Sequence, residues 1–303
     1  MIYIVTVARR PVLALVSLVA LACAAASGPN TSGNGGGGGG GALPHFVHAV
    51  IVVEENHDFA QADSAHMPYL HSLMAQYGYA TQYYANTHPS IGNYFVLTAG
   101  QIITNSDSYS ATITEDNIVR HLVASGKTWK SYAEDLPSVG YTGQKSGGYA
   151  RKHNPLSFFS DVVNDSAQLK RLVPFTQFAT DLAGDTLPNY AFVVPNLCND
   201  AHDCSLETAD AWLQTNIAPL LASPSFQTGG LLVIVFDEAD SDNTHGGGRI
   251  VWTAISPKAK RGFTSATLYQ HENTLRLMAE GLGLTSFPGA AANASNMAEF
   301  FTP

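Results

Sequence analysis

Four stretches of this sequence combine side chains that do chemistry. Glu54, Glu55, Asn56 and His57 end a β-branched run that begins at Val47, and Asp237, Glu238, Asp240 and Asp242 follow a second apolar run, Leu231 to Phe236. Polar groups placed directly after buried strands are costly unless water, an ion or partners receive them. Oxygen donors of this kind favour a hard divalent cation, or a borderline one where imidazole joins. The third stretch is Thr87-His88-Pro89-Ser90-Ile91-Gly92-Asn93-Tyr94, with a hydroxyl at the head of the apolar run Tyr94 to Thr98. A serine there either caps a helix or attacks an anion held by the backbone amides and helix dipole. The fourth is Pro195 to Cys204, where Asp200 and His202 lie between Cys198 and Cys204. It reads either as a reactive loop or as an Asn- and Asp-rich surface turn.

The elements that must position these residues alternate between buried strands and amphipathic helices. Strands are expected at Val47 to Glu54, Tyr190 to Val194, Leu231 to Phe236 and Ile250 to Ser256. Helices are expected at Pro68 to Tyr77, Glu115 to Ala124, Ser205 to Leu221 and Glu272 to Leu282. Pro68 suits a first helical turn, and Thr112 with Glu115 reads as a capping box before the second helix. Trp212, Leu213, Ile217 and Leu220 share an inward face of the third. This alternation predicts an α/β layered domain with a mostly parallel central sheet and helices on both faces. In such sheets ligands bind at the carboxyl ends of the strands, where both acidic clusters stand. His271 precedes the last helix and reads equally well as a first-turn surface residue.

Composition bounds the partners. With 303 residues and 45% hydrophobic content the chain can build one large core. Its formal net charge of −9 and thinly spread basic residues argue against nucleic acid. Arg151, Lys152 and His153 form the one compact basic run after the N-terminal region, read either as a contact for an anionic substrate or as a solubilising loop. Residues 1–26 read as an export signal, with Arg9 and Arg10 ahead of an apolar stretch too short to span a bilayer. Cys23 lies where lipidation would tether the chain to a membrane. Residues 27–44 form a Gly-rich tether, and residues 45–303 the catalytic domain. The expected location is therefore secreted, periplasmic or cell-surface. Of the three cysteines, Cys198 and Cys204 read as a short-loop disulfide in an exported chain. A zinc site made with His202 is the rival.

Taken in order, these blocks resemble the bacterial phosphoesterase family of acid phosphatases and phospholipases C, in the alkaline-phosphatase-like superfamily. Ala133-Glu-Asp-Leu-Pro-Ser-Val-Gly140, Tyr149-Ala-Arg-Lys-His-Asn-Pro155 and Pro195-Asn through Asp200-Ala-His-Asp203 are similar to its secreted branch described as phosphatidylinositol-3-phosphatase. The resemblance implies Glu55, Asn56, Asp237 and Glu238 as metal ligands, Ser90 as nucleophile on metal and phosphorus, and Asn93 as a donor to a phosphoryl oxygen. Asp200, His202 and His271 fall where the superfamily places a second metal or phosphate-binding histidines, so one or two divalent ions are implied. His88, Arg151, Lys152 and His153 would face the substrate. Two positions depart from the pattern: Gly92 replaces a usual proline, implying a looser turn, and Glu238 stands where His or Asp is common. The expected activity is hydrolysis of phosphate monoesters, with phosphatidylinositol 3-phosphate as one candidate, through a phosphoserine. Cationic His88, His202 or His271 would favour a mildly acidic optimum. A phosphodiesterase of phospholipase C type and a non-catalytic binder of phosphate esters are the alternatives.

Overall fold

The structure is a computed structural model that describes Met1 and residues 42–302. The export signal, Cys23 and nearly all of the Gly-rich tether lie outside the described residues. Strands are β1 (His48–Glu54), β2 (Gly78–Ala80), β3 (Trp129–Ala133), β4 (Lys145–Ser146), β5 (Tyr149–Ala150), β6 (Leu172–Pro174), β7 (Tyr190–Val194), β8 (Gly230–Phe236), β9 (Trp252–Ile255) and β10 (Phe263–Ser265). Helices are α1 (Pro68–Gln76), α2 (Ser90–Ala99), α3 (Ile118–Ala124), α4 (Ser160–Val163), α5 (Ser166–Leu169), α6 (Thr176–Ala183), α7 (Leu206–Ala222), α8 (Pro224–Gly229) and α9 (His271–Gly281).

Eight strands form one sheet in the order β10-β2-β9-β8-β1-β7-β3-β6, while β4 and β5 pair as a separate hairpin. β1 runs parallel to both β7 and β8, and β9 is antiparallel to β8 and β2. The β-branched run Val50, Ile51, Val52, Val53 is at most 1% exposed, which suits a central strand covered on both faces. Burying a side chain such as Ile51 contributes roughly 1.5–3 kcal/mol. Because β1 and β8 are parallel neighbours with Glu54 opposite Phe236, their polar ends emerge side by side. That adjacency brings two acidic clusters together although about 180 residues separate them in sequence.

Helix ends are fixed by specific groups. α1 starts at Pro68 and takes its cap from α7, where Asp210 accepts the Tyr69 and Leu70 amides at 2.9 and 2.8 Å. α2 stops at Gly100, whose φ of 68° favours glycine; a Cβ there would stand 2.5 Å from the Pro288 carbonyl. The second expected helix is shorter than its pattern, running from Ile118. Asn117 caps it by accepting the Val119 amide at 3.1 Å, so Thr112 and Glu115 form no capping box at its start. β9 is also shorter than expected, and α9 begins at His271 itself.

Glu54 is the last residue of β1 and Glu55 follows it directly, so the two side chains leave the strand end in opposite directions. Glu55 reaches α2, whereas Glu54 lies toward the carboxylates of Asp200, Asp210 and Glu134, with both its oxygens buried and without a hydrogen-bond partner. Burial, then repulsion from those carboxylates, holds its carboxyl well above its ordinary value of 4.5. The folded chain therefore keeps a proton that the unfolded chain releases above about pH 4.5, and stability declines as pH rises toward the raised value. Glu54→Gln should match the parent near pH 4 and exceed it in stability at pH 8, as read by chemical denaturation at both pH values. An equal difference at the two would contradict a proton held by Glu54.

Candidate active site

Ser90 is the first residue of α2, and its hydroxyl caps nothing. Oγ instead lies 3.1 Å from Glu55 Oε2 and 3.1 Å from Glu238 Oε1. Ser90, Glu55, Asp237 and Glu238 are all buried. Asp237 Oδ1 accepts the Asn56 and Glu238 amides at 3.1 and 2.6 Å, but its Oδ2 is buried and has no partner. Asn56 turns the chain with φ of 55°, and its side-chain amide makes no hydrogen bond among the described residues. Burial raises the carboxyls of Glu55, Asp237 and Glu238, and mutual repulsion adds to it at Glu55 and Asp237.

A second set shares Glu55. Ligand atoms of Glu55, His153 and His202 lie within 4.8 Å of one another. His153 is 1% exposed; its Nδ1 is 3.2 Å from Asp200 Oδ2 and its Nε2 is 3.1 Å from Glu55 Oε1. Burial, then the neighbouring Lys152, drives the ring well toward its neutral form. A neutral ring donates to only one of Asp200 and Glu55, so the other nitrogen turns a lone pair toward a carboxylate, where a cation would be accepted. Burial pushes Asp200 up to about 7.

The donor set therefore fits a divalent cation. Two buried ligand atoms, Asp237 Oδ2 and His153 Nε2, lack partners, and the carboxylates around Ser90 have no guanidinium or ammonium paired with them among the described residues. Buried charge left uncompensated costs several kcal/mol per ion, roughly.

Several residues stand elsewhere than the sequence suggested. Asn93 is fully buried and spent on the backbone: its Oδ1 accepts the Asn86 and Thr87 amides and its Nδ2 donates to the Thr87 carbonyl at 2.8 Å. It shapes the loop before Ser90, with one of its two amide hydrogens engaged there. His271 is fully buried, with Nε2 donating to the Asp237 carbonyl at 2.7 Å and Nδ1 facing the Tyr83 hydroxyl at 3.2 Å. Burial lowers it to about 4, so it is neutral and holds the Asp237 backbone, and it supplies no cation for an acidic optimum. His88 places Nδ1 2.7 Å from Glu238 Oε2 and Nε2 3.1 Å from the Asp242 carbonyl, so both nitrogens are engaged. Arg151 points inward, donating to Ser157 and the Ser110 carbonyl with its guanidinium 4.0 Å over the Phe158 ring. His153 belongs to the buried Glu55 set.

Of the basic run, Lys152 alone faces open space. Its Nζ is 2.8 Å from Asp107 and 3.5 Å from His202 Nε2, and with Lys145 and Leu197 these residues line a cavity of about 530 Å³. Gly92 does not loosen its turn: a Cβ there would stand 2.3 Å from Asn105 Oδ1 and 2.6 Å from Thr87, so the missing side chain permits close packing. Cys198 and Cys204 are disulfide-bonded, which removes the zinc alternative and ties down the loop that carries Asp200 and His202. Sequence reasoning missed Asp107 and Tyr94. Tyr94 follows Ser90 by one helical turn, a spacing that places both on one face of α2; Asp107 carries no such signal.

An α/β sheet with a serine hydroxyl ringed by carboxylates at its strand ends has the fold of the alkaline phosphatase superfamily. A superfamily member from Vibrio parahaemolyticus superposes with TM-score 0.57 at 13% identity, covering 80% of this chain and 67% of that one. The lipoteichoic acid synthase LtaP of Listeria monocytogenes gives 0.57 at 10%, covering 86% and 77%. The chain itself belongs to the phosphoesterase family, whose profile matches residues 62–285. It is 35% identical over 256 residues to the phosphatidylinositol-3-phosphatase of Mycobacterium tuberculosis, covering 84% of this chain and 82% of that protein. It is 33% identical to a probable acid phosphatase of Kluyveromyces lactis, covering 67% of this chain and 51% of that one. A phosphate-repressible acid phosphatase of Penicillium chrysogenum is also 33% identical, with 68% and 52% covered. The chain thus spans about half the length of these two fungal relatives.

Opening the disulfide should loosen Asp200 and His202 without touching Ser90. A Cys198→Ser, Cys204→Ser variant is expected to lose about 2 kcal/mol of stability, by the loop-entropy relation, and to bind divalent metal more weakly. Unchanged metal affinity at reduced stability would show that the loop does not position the site.

Proposed function

We propose that this chain is an exported, metal-dependent phosphatase of phosphate monoesters that works through a phosphoserine on Ser90. The observation that carries the reading is the Ser90 hydroxyl held 3.1 Å from both Glu55 and Glu238 beside the unpartnered Asp237 Oδ2. Glu55, Asn56, Asp237 and Glu238 would hold a divalent ion next to that hydroxyl, and His153, His202 and Asp200 would complete a second position that takes an ion or the phosphate. A bound cation would lower the pKa of the serine hydroxyl and neutralise charge on the phosphoryl oxygens.

Each residue then has a distinct task. Ser90 Oγ forms the bond to phosphorus as the bond to the leaving alkoxide breaks, and water later cleaves the Ser90 ester to release phosphate. Its proton has an acceptor at hand in Glu55 or Glu238. The positive end of the α2 dipole, at Ser90, would favour the phosphoryl oxygens. His88 fixes Glu238, His271 fixes the Asp237 backbone, and Asn93 fixes the loop that aims Ser90. The leaving group has room in the cavity beside Lys152 and His202, where Lys152 offers an ammonium to an alkoxide or a second anionic group. The acid phosphatase and phosphatidylinositol-3-phosphatase names of the relatives support this reading, and phosphatidylinositol 3-phosphate is the lipid substrate to try first. Export, and attachment through a lipidated Cys23, rest on the N-terminal sequence alone.

Incubation with a radiolabelled phosphate monoester followed by acid quench should trap label on the parent and none on Ser90→Ala, whose turnover should fall by at least about a thousandfold. Label retained on Ser90→Ala would place the nucleophile elsewhere, and bound but uncleaved ester would favour a binding protein. Dialysis against a chelator should abolish turnover, and added divalent metal should restore it. Full activity after chelation would refute metal dependence.

A further inference from the structure

Tyr94 belongs to none of the acidic or histidine clusters, yet it touches both halves of the site. It is fully buried, its hydroxyl donates to Glu55 Oε1 at 2.5 Å, and its ring lies parallel to that of His153 with centroids 5.0 Å apart and 8° between the planes. Glu55 is the residue the two sets share: Oε2 faces Ser90 Oγ and Oε1 faces His153 Nε2, each at 3.1 Å. A carboxylate at the end of a flexible side chain can rotate to present both oxygens to one neighbour. Nothing in Ser90 or His153 prevents that rotation, since each meets only one oxygen.

We propose that Tyr94 is a positioning residue that locks the Glu55 carboxylate so that its two oxygens serve different partners, Oε2 the Ser90, Asp237 and Glu238 set and Oε1 the His153 side. The phenol does this by anchoring Oε1, while the ring braces His153 at a fixed distance from the same oxygen. Because Tyr94 and Ser90 share one face of α2, the helix that aims the hydroxyl also sets the angle of the carboxylate beside it. The proposal rests on the metal-dependent reading, in which Glu55 is a ligand. Groups that orient a ligand from behind typically account for about 10- to 100-fold in metal affinity or activity.

The test uses the whole chain and Mn²⁺ as the probe. Equilibrium dialysis gives the Mn²⁺ dissociation constant of the parent, Tyr94→Phe, which keeps the stacked ring, and Tyr94→Leu, which loses ring and hydroxyl. Thermal melting of the metal-free proteins checks the fold. Tyr94→Phe should bind Mn²⁺ about 10- to 100-fold more weakly with a melting point within a few degrees of the parent. Saturating Mn²⁺ should recover its kcat on 4-nitrophenyl phosphate to within about threefold, since a ligand misaligned but present still fills the site. Tyr94→Leu should bind more weakly still. In a Glu55→Gln background the Tyr94→Phe change should have less than about a threefold effect, because the anchored oxygen is no longer a carboxylate. An unchanged dissociation constant in Tyr94→Phe, or an equal loss in the Glu55→Gln background, overturns the proposal. A parent that binds no Mn²⁺, Zn²⁺ or Ca²⁺ overturns the metal reading beneath it, a result separable from either of those.

Discussion

Acid groups buried together around one hydroxyl, without an equal number of basic groups, set the terms for the rest of this molecule. Glu55, Asp237 and Glu238 meet Ser90 in the interior, and burial raises all three carboxyls. Such a cluster repels itself, and the fold holds it only because stronger constraints act on the backbone that carries it. β1 and β8 supply those constraints, pairing in parallel with their apolar runs buried on both faces. A divalent ion bound there, as proposed, would offset the repulsion and turn an electrostatic cost into affinity.

Around the carboxylates stands a layer of residues whose bonds hold the backbone and side chains in place. His271 holds the Asp237 carbonyl, His88 holds Glu238, Asn93 holds the loop ahead of Ser90, and the disulfide closes the loop of Asp200 and His202. In the proposed mechanism their contribution is geometric: a ligand misplaced by an ångström would lose its bond to the ion, and a nucleophile so misplaced would lose its line of attack. Lys152 differs, since it faces a cavity and keeps an ammonium toward whatever enters there.

Much of the fold was legible in the sequence because its signals are local. Continuous β-branched runs marked β1 and β8, and the acidic residues directly after them marked strand ends that a parallel sheet brings together. Short strands such as β2 and β10 were not legible, since three residues carry no period. The start of α3 was misread because the capping pattern at Thr112 competes with Asn117, whose amide is itself held by Asp161 at 2.8 Å. In the site, residue type identified the carboxylates and the serine, but not which polar side chains face inward. His271 and Arg151 look like surface residues in sequence, and only tertiary packing, under Tyr83 and over Phe158, shows them turned inward. Tyr94 was hidden for the opposite reason, as an aromatic in an apolar helix reads as core until its hydroxyl is seen to meet Glu55.

The most direct test of the account is where an ion binds. Anomalous diffraction from crystals of the whole chain soaked in Mn²⁺ should give a peak within coordination distance, about 2.0–2.3 Å, of Ser90 Oγ and of carboxylate oxygens from both Glu55 and Asp237. A peak confined to surface acids, with ordered water against the free oxygen of Asp237, would contradict it.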